Sequence, residues 1–221
     1  MRDLPGIILT GTLWAYYGVS IPLLVANARK RTGAPVGFVP ELPLERVMWF
    51  IWIPLIIAWM VLPYLAITRR HPLLAVPPIA LTHPVYSTGR WVAAFGAVLC
   101  FLVIFECIRR MGKNWRVAVL PTRPIQLVTG GLYARIRHPI YAFNVLLMLC
   151  SGIIVPTIPM VAAGIIHVAL VILKVRTEER FLLATLGPEY AAYCRRTGRF
   201  FPRLVTREKI SAAAKEHVGP S

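Results

Sequence analysis

An all-α membrane protein, with about five transmembrane helices, a C-terminal helical hairpin and a short cytosolic C-terminal helix, is the architecture this sequence predicts. Three observations predict it. The 221 residues are 57% hydrophobic with only nine acidic side chains, and mean hydropathy is +0.64, more apolar than a soluble domain sustains. Apolar stretches recur at close to the roughly 20 residues that cross about 30 Å of hydrocarbon. The cations are placed asymmetrically along the chain. If the N-terminus lies outside, Arg29, Lys30, Arg31 and Arg46, the basic residues between Arg109 and Arg137, and those from Lys174 to Lys215 all fall inside. Only Arg2, Arg69, Arg70 and Arg90 fall outside.

That asymmetry follows the positive-inside rule and accounts for the net charge of +16 without a polyanion. No soluble segment interleaves basic and aromatic residues, so nucleic acid is not an expected partner. The expected location is therefore an integral, multi-pass position in a membrane, with the N-terminus outside.

Residues 4–27, 47–67 and 91–108 each suffice to span. Met1-Arg2-Asp3 offers no basic leader region and no small-residue cleavage site ends the first apolar run, so that helix is expected to be retained. Residues 140–155 and 159–173 are shorter and are separated by the uncharged Pro156-Thr157-Ile158, which predicts a tight hairpin. The connection from Thr68 to Gly89 carries several proline and histidine breakers and reads as an outer loop. After the hairpin, Leu186-Gly187-Pro188 ends one helix and begins a short one, in which Tyr190 and Tyr193 share a face. From Thr206 onward the sequence reads as a polar tail. The chain thus divides into N-terminal transmembrane helices (1–110), a region with the candidate site and the hairpin (111–203), and the tail (204–221).

Cys100, Cys107, Cys150 and Cys194 stand singly, with no Cys-x-x-C pair and no histidine at ligand spacing, so neither a disulfide framework nor a metal site is expected. The chemistry concentrates instead in Gly131-x-Tyr133, Arg137-His138-Pro139-x-Tyr141 and, one apolar run later, Glu178-Glu179. Ionisable residues beside hydrocarbon are costly, so such a cluster at one membrane face marks a functional site. Pro139 is explained as the first residue of a helix, which leaves His138 at the cap. Serine, threonine or aspartate would cap better, which favours a ligand role for His138.

The ordered set Leu127-Val128-Thr129-x-Gly131-x-Tyr133, Arg137-His138-Pro139-x-Tyr141, Glu178-Glu179 and Gly187-x-Glu189-Tyr190-x-x-Tyr193, closing in a basic stretch at Phe201-Pro202, resembles one family. It is similar to the integral membrane methyltransferases related to isoprenylcysteine carboxyl methyltransferase and the phospholipid N-methyltransferases. The resemblance covers about residues 112–202. Order matters here, since Arg70-His71-Pro72 and His83-Pro84-Val85-Tyr86 repeat parts of the motif without its flanks and receive no chemical role.

The resemblance implies S-adenosylmethionine as cofactor, bound in a cavity of the last helices that opens to the cytosol, and a lipophilic acceptor entering from the bilayer. No Gly-x-Gly-x-x-Gly loop offers a Rossmann-type alternative. Gln126, Leu127, Val128, Thr129 and Gly131 are the expected adenosine clamp, with Gly131 permitting close approach. Tyr133, His138 and Tyr141 are expected to bond the cofactor, and Glu178 or Glu179 to pair with its ammonium group. Glu179 or Arg196 is expected to face the acceptor. Arg195-Arg196 suits an anionic head, which narrowly favours a prenylcysteine-type carboxylate over a phospholipid amine or a thiol; a non-catalytic lipid-binding scaffold is the alternative class.

Simpler roles are expected for the remaining polar residues. Arg135 reads as a positive-inside residue. Lys174 and Glu178, four apart, read as a surface helix pair, and Glu106 as the partner of Arg109 and Arg110. His167 reads as a polar group satisfied between helices, and Trp115 as an interfacial anchor or part of a Gly-x-Asn-type segment.

Overall fold

The computed structural model describes residues 3–32, 43–68, 72–112, 115 and 126–203. The tail from 204 onward, with much of the 113–125 segment, lies outside the described residues. Among the described residues eight α-helices follow in order: α1 (Leu4–Leu13), α2 (Ile21–Thr32), α3 (Pro43–Thr68), α4 (Pro78–Thr82), α5 (Pro84–Met111), α6 (Pro139–Ile154), α7 (Ile158–Leu186) and α8 (Pro188–Arg196). A π-helical stretch, Trp14–Ser20, joins α1 to α2 without a break.

Four helical runs are long and apolar enough to cross a membrane: Leu4–Lys30, α3, α5 and α7. The shorter apolar α6 packs with α7 as the second arm of the expected hairpin. Five helical passes therefore match the expected architecture, one of them short. α5 begins seven residues before the expected start, because Pro84 serves as its first residue behind the extended His83. Part of the expected outer loop is thereby helix, with the single turn α4 ahead of it.

The five passes close into a ring in which α1 packs on α3 and α5, α5 on α6, α6 on α7, and α7 back on α3. Small residues make the closest approach possible: Ala93, Ala94 and Ala97 of α5 are buried against Leu9, Leu13, Leu147 and Met148. A second apolar cluster, Met48, Leu55, Ala163 and Leu170, seals α3 to α7. α2 is the exception, with its extensive contacts confined to the π-helical stretch before it.

Polar groups inside the ring are satisfied by other helices, as hydrocarbon requires. Trp59 Nε1 donates to Ser151 Oγ at 2.9 Å. Pro63 cannot donate within α3, and Trp14 Nε1 reaches the Met60 carbonyl in the same turn at 3.1 Å. Arg90, expected as an outer-surface cation, is instead buried, its Nη2 2.6 Å from Asp3 Oδ2 and its Nε donating to the Ile154 carbonyl at 2.8 Å. One side chain thus ties the start of α1, α5 and the end of α6 together. All four cysteines are free thiols, in line with the sequence.

Arg90→Ala leaves the Asp3 carboxylate buried without its cation, and losses on breaking a buried pair run at about 3–5 kcal/mol. Denaturation in detergent should show a loss of that order, whereas Arg109→Ala, removing a solvent-facing partner of Glu106, should change stability by less than about 0.5 kcal/mol.

Candidate functional site

α5 ends at Gly112, whose φ of +53° suits glycine, and the chain returns at Gln126 to run along the inner end of the bundle. A 3₁₀ turn, Gly131–Ala134, leads to His138 at the N-cap of α6. The segment is clamped by the one after α8: Arg137 and His138 donate backbone N–H bonds to the Gly198 and Arg199 carbonyls at 2.8 and 3.1 Å, and Gly198 returns one to Arg135. Gly198 is required there, because a β-carbon would fall 1.7 Å from the Phe201 carbonyl oxygen.

Glu179 anchors this clamp. Its Oε1 accepts from Arg137 Nε at 3.0 Å and lies 3.2 Å from His138 Nε2, while its Oε2 accepts from Arg199 Nη2. Arg137 also donates to the carbonyls of Cys194, in the last turn of α8, and Thr197, just beyond it. His138 gives no side-chain cap bond and turns its ring between the two glutamates, with Nδ1 3.9 Å from Glu178 Oε2. His138 thus lies near both carboxylates, as the sequence leads one to expect, but only Glu178 shares the main cavity with it.

Beside the clamp lies a cavity of about 1070 Å³, walled by α2, the π-helical stretch, α3, the 126–141 segment, α6, α7 and α8. Drug-sized ligands occupy sites of about 300–1,000 Å³, so this volume admits more than one small molecule. Of the expected cofactor residues, Gln126, Leu127, Val128, Tyr133, His138, Tyr141 and Glu178 line it. The others do not. Thr129 is exposed and off the wall. Gly131 adopts φ +63°, a backbone conformation strained for a residue with a side chain, and it is not on the cavity wall.

The two residues expected to face the acceptor are also placed elsewhere. Arg196 is exposed in the last turn of α8, away from the cavity wall. Glu179 faces a smaller hollow with Arg176, Arg180 and Arg199. Consecutive helix positions are turned by roughly 100°, which is why Glu178 and Glu179 look into different spaces. Glu178 is the cavity carboxylate and Glu179 the anchor.

The polar wall is continuous. Tyr141 Oη donates to Glu178 Oε1 at 2.7 Å. Lys174 Nζ lies 3.3 Å from Glu178 and 2.6 Å from Glu45 of α3, and Lys174 and Glu45 are buried. The expected surface pair is therefore an interior one that joins α3 to α7. Deeper in, Tyr17 Oη donates to Asn144 Oδ1 at 3.0 Å, and Asn144 Nδ2 donates to Tyr16 Oη at 3.1 Å.

Two hydroxyls in the wall are left over. Tyr133 Oη is buried without a hydrogen bond among the described residues. So is Tyr190 Oη, which has the Cys194 thiol as an electrostatic neighbour but no hydrogen bond of normal geometry. Burial pushes both phenols well above their usual value, and that of Tyr193 up to about 12. All three stay protonated donors at neutral pH. Tyr193 spends its proton on the Tyr133 carbonyl at 2.6 Å, whereas the Tyr133 and Tyr190 hydroxyls have no such acceptor among the described residues.

His167 departs furthest from expectation. It is 1% exposed, lines the cavity, and neither ring nitrogen has a hydrogen-bond partner among the described residues. The motif reading also missed Tyr16, Tyr17 and Asn144, and Arg137 and Lys174 beyond their charge. One signal pointed to part of this set: His167, Lys174 and Glu178 stand at i, i+7 and i+11, one stripe of a helix. Glu106 pairs with Arg109 and Arg110 at 2.7 and 2.6 Å, as expected. Among the described residues no group of three or more His, Cys, Asp or Glu side chains is placed to hold a metal ion.

The fold and cavity define an all-helical integral membrane protein with a polar-ended internal site. Residues 91–184 match the model of the isoprenylcysteine carboxyl methyltransferase (ICMT) family. Two curated relatives are similar to it. The cobalt-zinc-cadmium resistance protein CzcN of Cupriavidus metallidurans is 37% identical over 118 residues, 52% of this chain and 53% of that protein. The nickel-cobalt-cadmium resistance protein NccN of Alcaligenes xylosoxydans xylosoxydans is 32% identical over 115 residues, with the same shares. The chain thus spans about half the length of the curated relatives it matches. A solved structure of the eukaryotic intramembrane Ras methyltransferase ICMT is 16% identical, with 90% of this chain and 97% of that one covered at a TM-score of 0.46, too low to establish a common fold.

Glu179→Gln removes the charge from an acceptor of two arginines, and hydrogen bonds to charged groups are worth about 1.5–3 kcal/mol. Denaturation curves should show a loss in that range, whereas Arg196→Ala, in an exposed turn, should stay within about 0.5 kcal/mol of the parent.

Proposed function

We propose that the protein transfers a methyl group from S-adenosylmethionine to a lipophilic, membrane-borne acceptor. The observation that carries this reading is the pair of unpartnered, buried hydroxyls, Tyr133 and Tyr190, set with the Glu178 carboxylate in one cavity. The match of residues 91–184 to the ICMT family supports it. When bound, the cofactor supplies an electrophilic methyl on a sulfonium.

The residues present suit such a guest. The Glu178 carboxylate suits an ammonium group, and Tyr133 and Tyr190 suit carboxylate or ribose oxygens as donors. Backbone and side chains at Gln126, Leu127 and Val128 form an edge for a flat base. His138, held by Glu179, is fixed in orientation. What the chain contributes is alignment of two reactants, which can supply much of a bimolecular reaction's acceleration.

The acceptor side is apolar. Ile21, Pro22 and Val25 of α2 and Ile53, Ile56 and Ile57 of α3 line the cavity, and Ile53 and Ile57 are exposed. An apolar wall formed by two adjoining helices suits lateral entry of a lipophilic acceptor between α2 and α3. At the rim Arg29 lines the cavity and takes the role first expected of Arg196, a cation for an anionic acceptor head such as a carboxylate. The polar end of the site lies on the side where the cations gather, which supports a cytosolic orientation. The names of the two relatives record metal resistance without stating a reaction, and the reading rests on the cavity instead.

S-adenosylhomocysteine at 100 times its Kd should stabilise the detergent-solubilised protein by about 2.7 kcal/mol. Tyr190→Phe should weaken that binding about 2–10-fold by removing one donor. Labelled S-adenosylmethionine incubated with native membrane extract should leave label in a lipid-soluble product. No stabilisation by either nucleotide at saturation would favour the non-catalytic scaffold.

A further inference from the structure

The mechanism above makes no use of His167. It lies seven residues before Lys174 and eleven before Glu178 on the same stripe of α7, so it sits roughly 10 Å and 16 Å deeper along the helix axis. At that depth the surroundings are aromatic. The Trp59 and Trp52 rings flank it with centroids 5.0 and 5.9 Å away. Trp59 Nε1 is committed to Ser151, and the amide and hydroxyls of Asn144, Tyr16 and Tyr17 are committed to one another.

A neutral imidazole carries one donor and one acceptor. Leaving a buried polar group unpaired costs about 1–3 kcal/mol, and Trp59, Asn144, Tyr16 and Tyr17 already have partners of their own. The unpaired ring borders the apolar arm of the cavity, so a partner carried in by the occupant would meet it there.

We propose that His167 is an acceptor-binding residue that hydrogen-bonds a neutral oxygen, a hydroxyl or carbonyl, borne within the apolar body of the acceptor. The acceptor class is then a lipid with a polar function well along its chain, rather than a plain acyl or prenyl chain. This rests on the acceptor reading above for what the bound lipid is for. The recognition itself is measured without turnover.

Stearate and 12-hydroxystearate differ by one hydroxyl placed far from the head, and their binding to the purified protein in detergent is the test. The hydroxylated probe should bind about 3–10-fold more tightly. His167→Phe, which keeps an aromatic ring, should abolish the preference, and His167→Gln, which keeps a donor and an acceptor, should retain most of it. Stabilisation by S-adenosylhomocysteine should be unchanged in both variants, which also reports that they fold. Equal binding of the two probes to the parent, or a preference that persists in His167→Phe, would overturn the proposal. A preference that behaves as expected in a protein that does not respond to S-adenosylhomocysteine would overturn the methyltransferase reading and leave the lipid site standing.

Discussion

Lys174 is the interaction on which the site depends. Its ammonium is buried between Glu45 of α3 and Glu178 of its own helix, and a charge at that depth persists only when its partners stay in place. Holding them there sets the spacing of α3 and α7, and it fixes the Glu178 carboxylate where Tyr141 donates to it. The wall of the cavity is therefore built around an ion pair that no exposed helix surface supplies. A neutral residue at 174 would remove the ammonium that the buried Glu45 carboxylate meets at 2.6 Å in the first turn of α3.

The opposite wall is held by hydrogen bonds and a local backbone pairing. Glu179, one residue on, points away from the cavity and gathers Arg137, His138 and Arg199. The two adjacent carboxylates thus divide the labour: one presents charge to the interior, the other locks the loop before α6 to the segment after α8. The locking brings Tyr190 and Tyr193 against Tyr133, and the hydroxyls that remain unpaired are then a consequence of packing, not of disorder. A site assembled this way is largely formed before any ligand arrives, which limits the conformational cost of binding.

Much of this was legible in the sequence because the motif residues act locally. His138 is forced to the cap of α6 by Pro139, and a hairpin of known helical period returns Glu178 to the same end. The expected helices and the free cysteines follow from composition and spacing. The illegible part is long-range. Nothing near Glu45 in the sequence announces a partner 129 residues away, and Tyr16 and Asn144 meet only because the π-helical stretch and α6 both border the interior. Arg196 was misread because proximity in the chain stood in for direction: Tyr190 and Tyr193 fill the inward face of α8, and the last turn is left to solvent. His167 was misread because a histidine between helices ordinarily finds a partner, and only coordinates reveal that this one has none.

The arrangement of α2 explains how an apolar guest and a polar one can share a single cavity under the proposed reading. The π-helical stretch from Trp14 to Ser20 inserts an extra residue per turn, and beyond it α2 keeps extensive contact only with that stretch. Its inner face still lines the cavity, at Ile21, Pro22 and Val25. A wall that is part of the site yet weakly packed on the ring is the place where opening costs least, since few buried contacts must be broken. The polar end, by contrast, is closed by ion pairs and backbone bonds. Opening is thereby confined to the lipid side, and the charged groups around Glu178 need not be exposed to hydrocarbon when an acceptor enters.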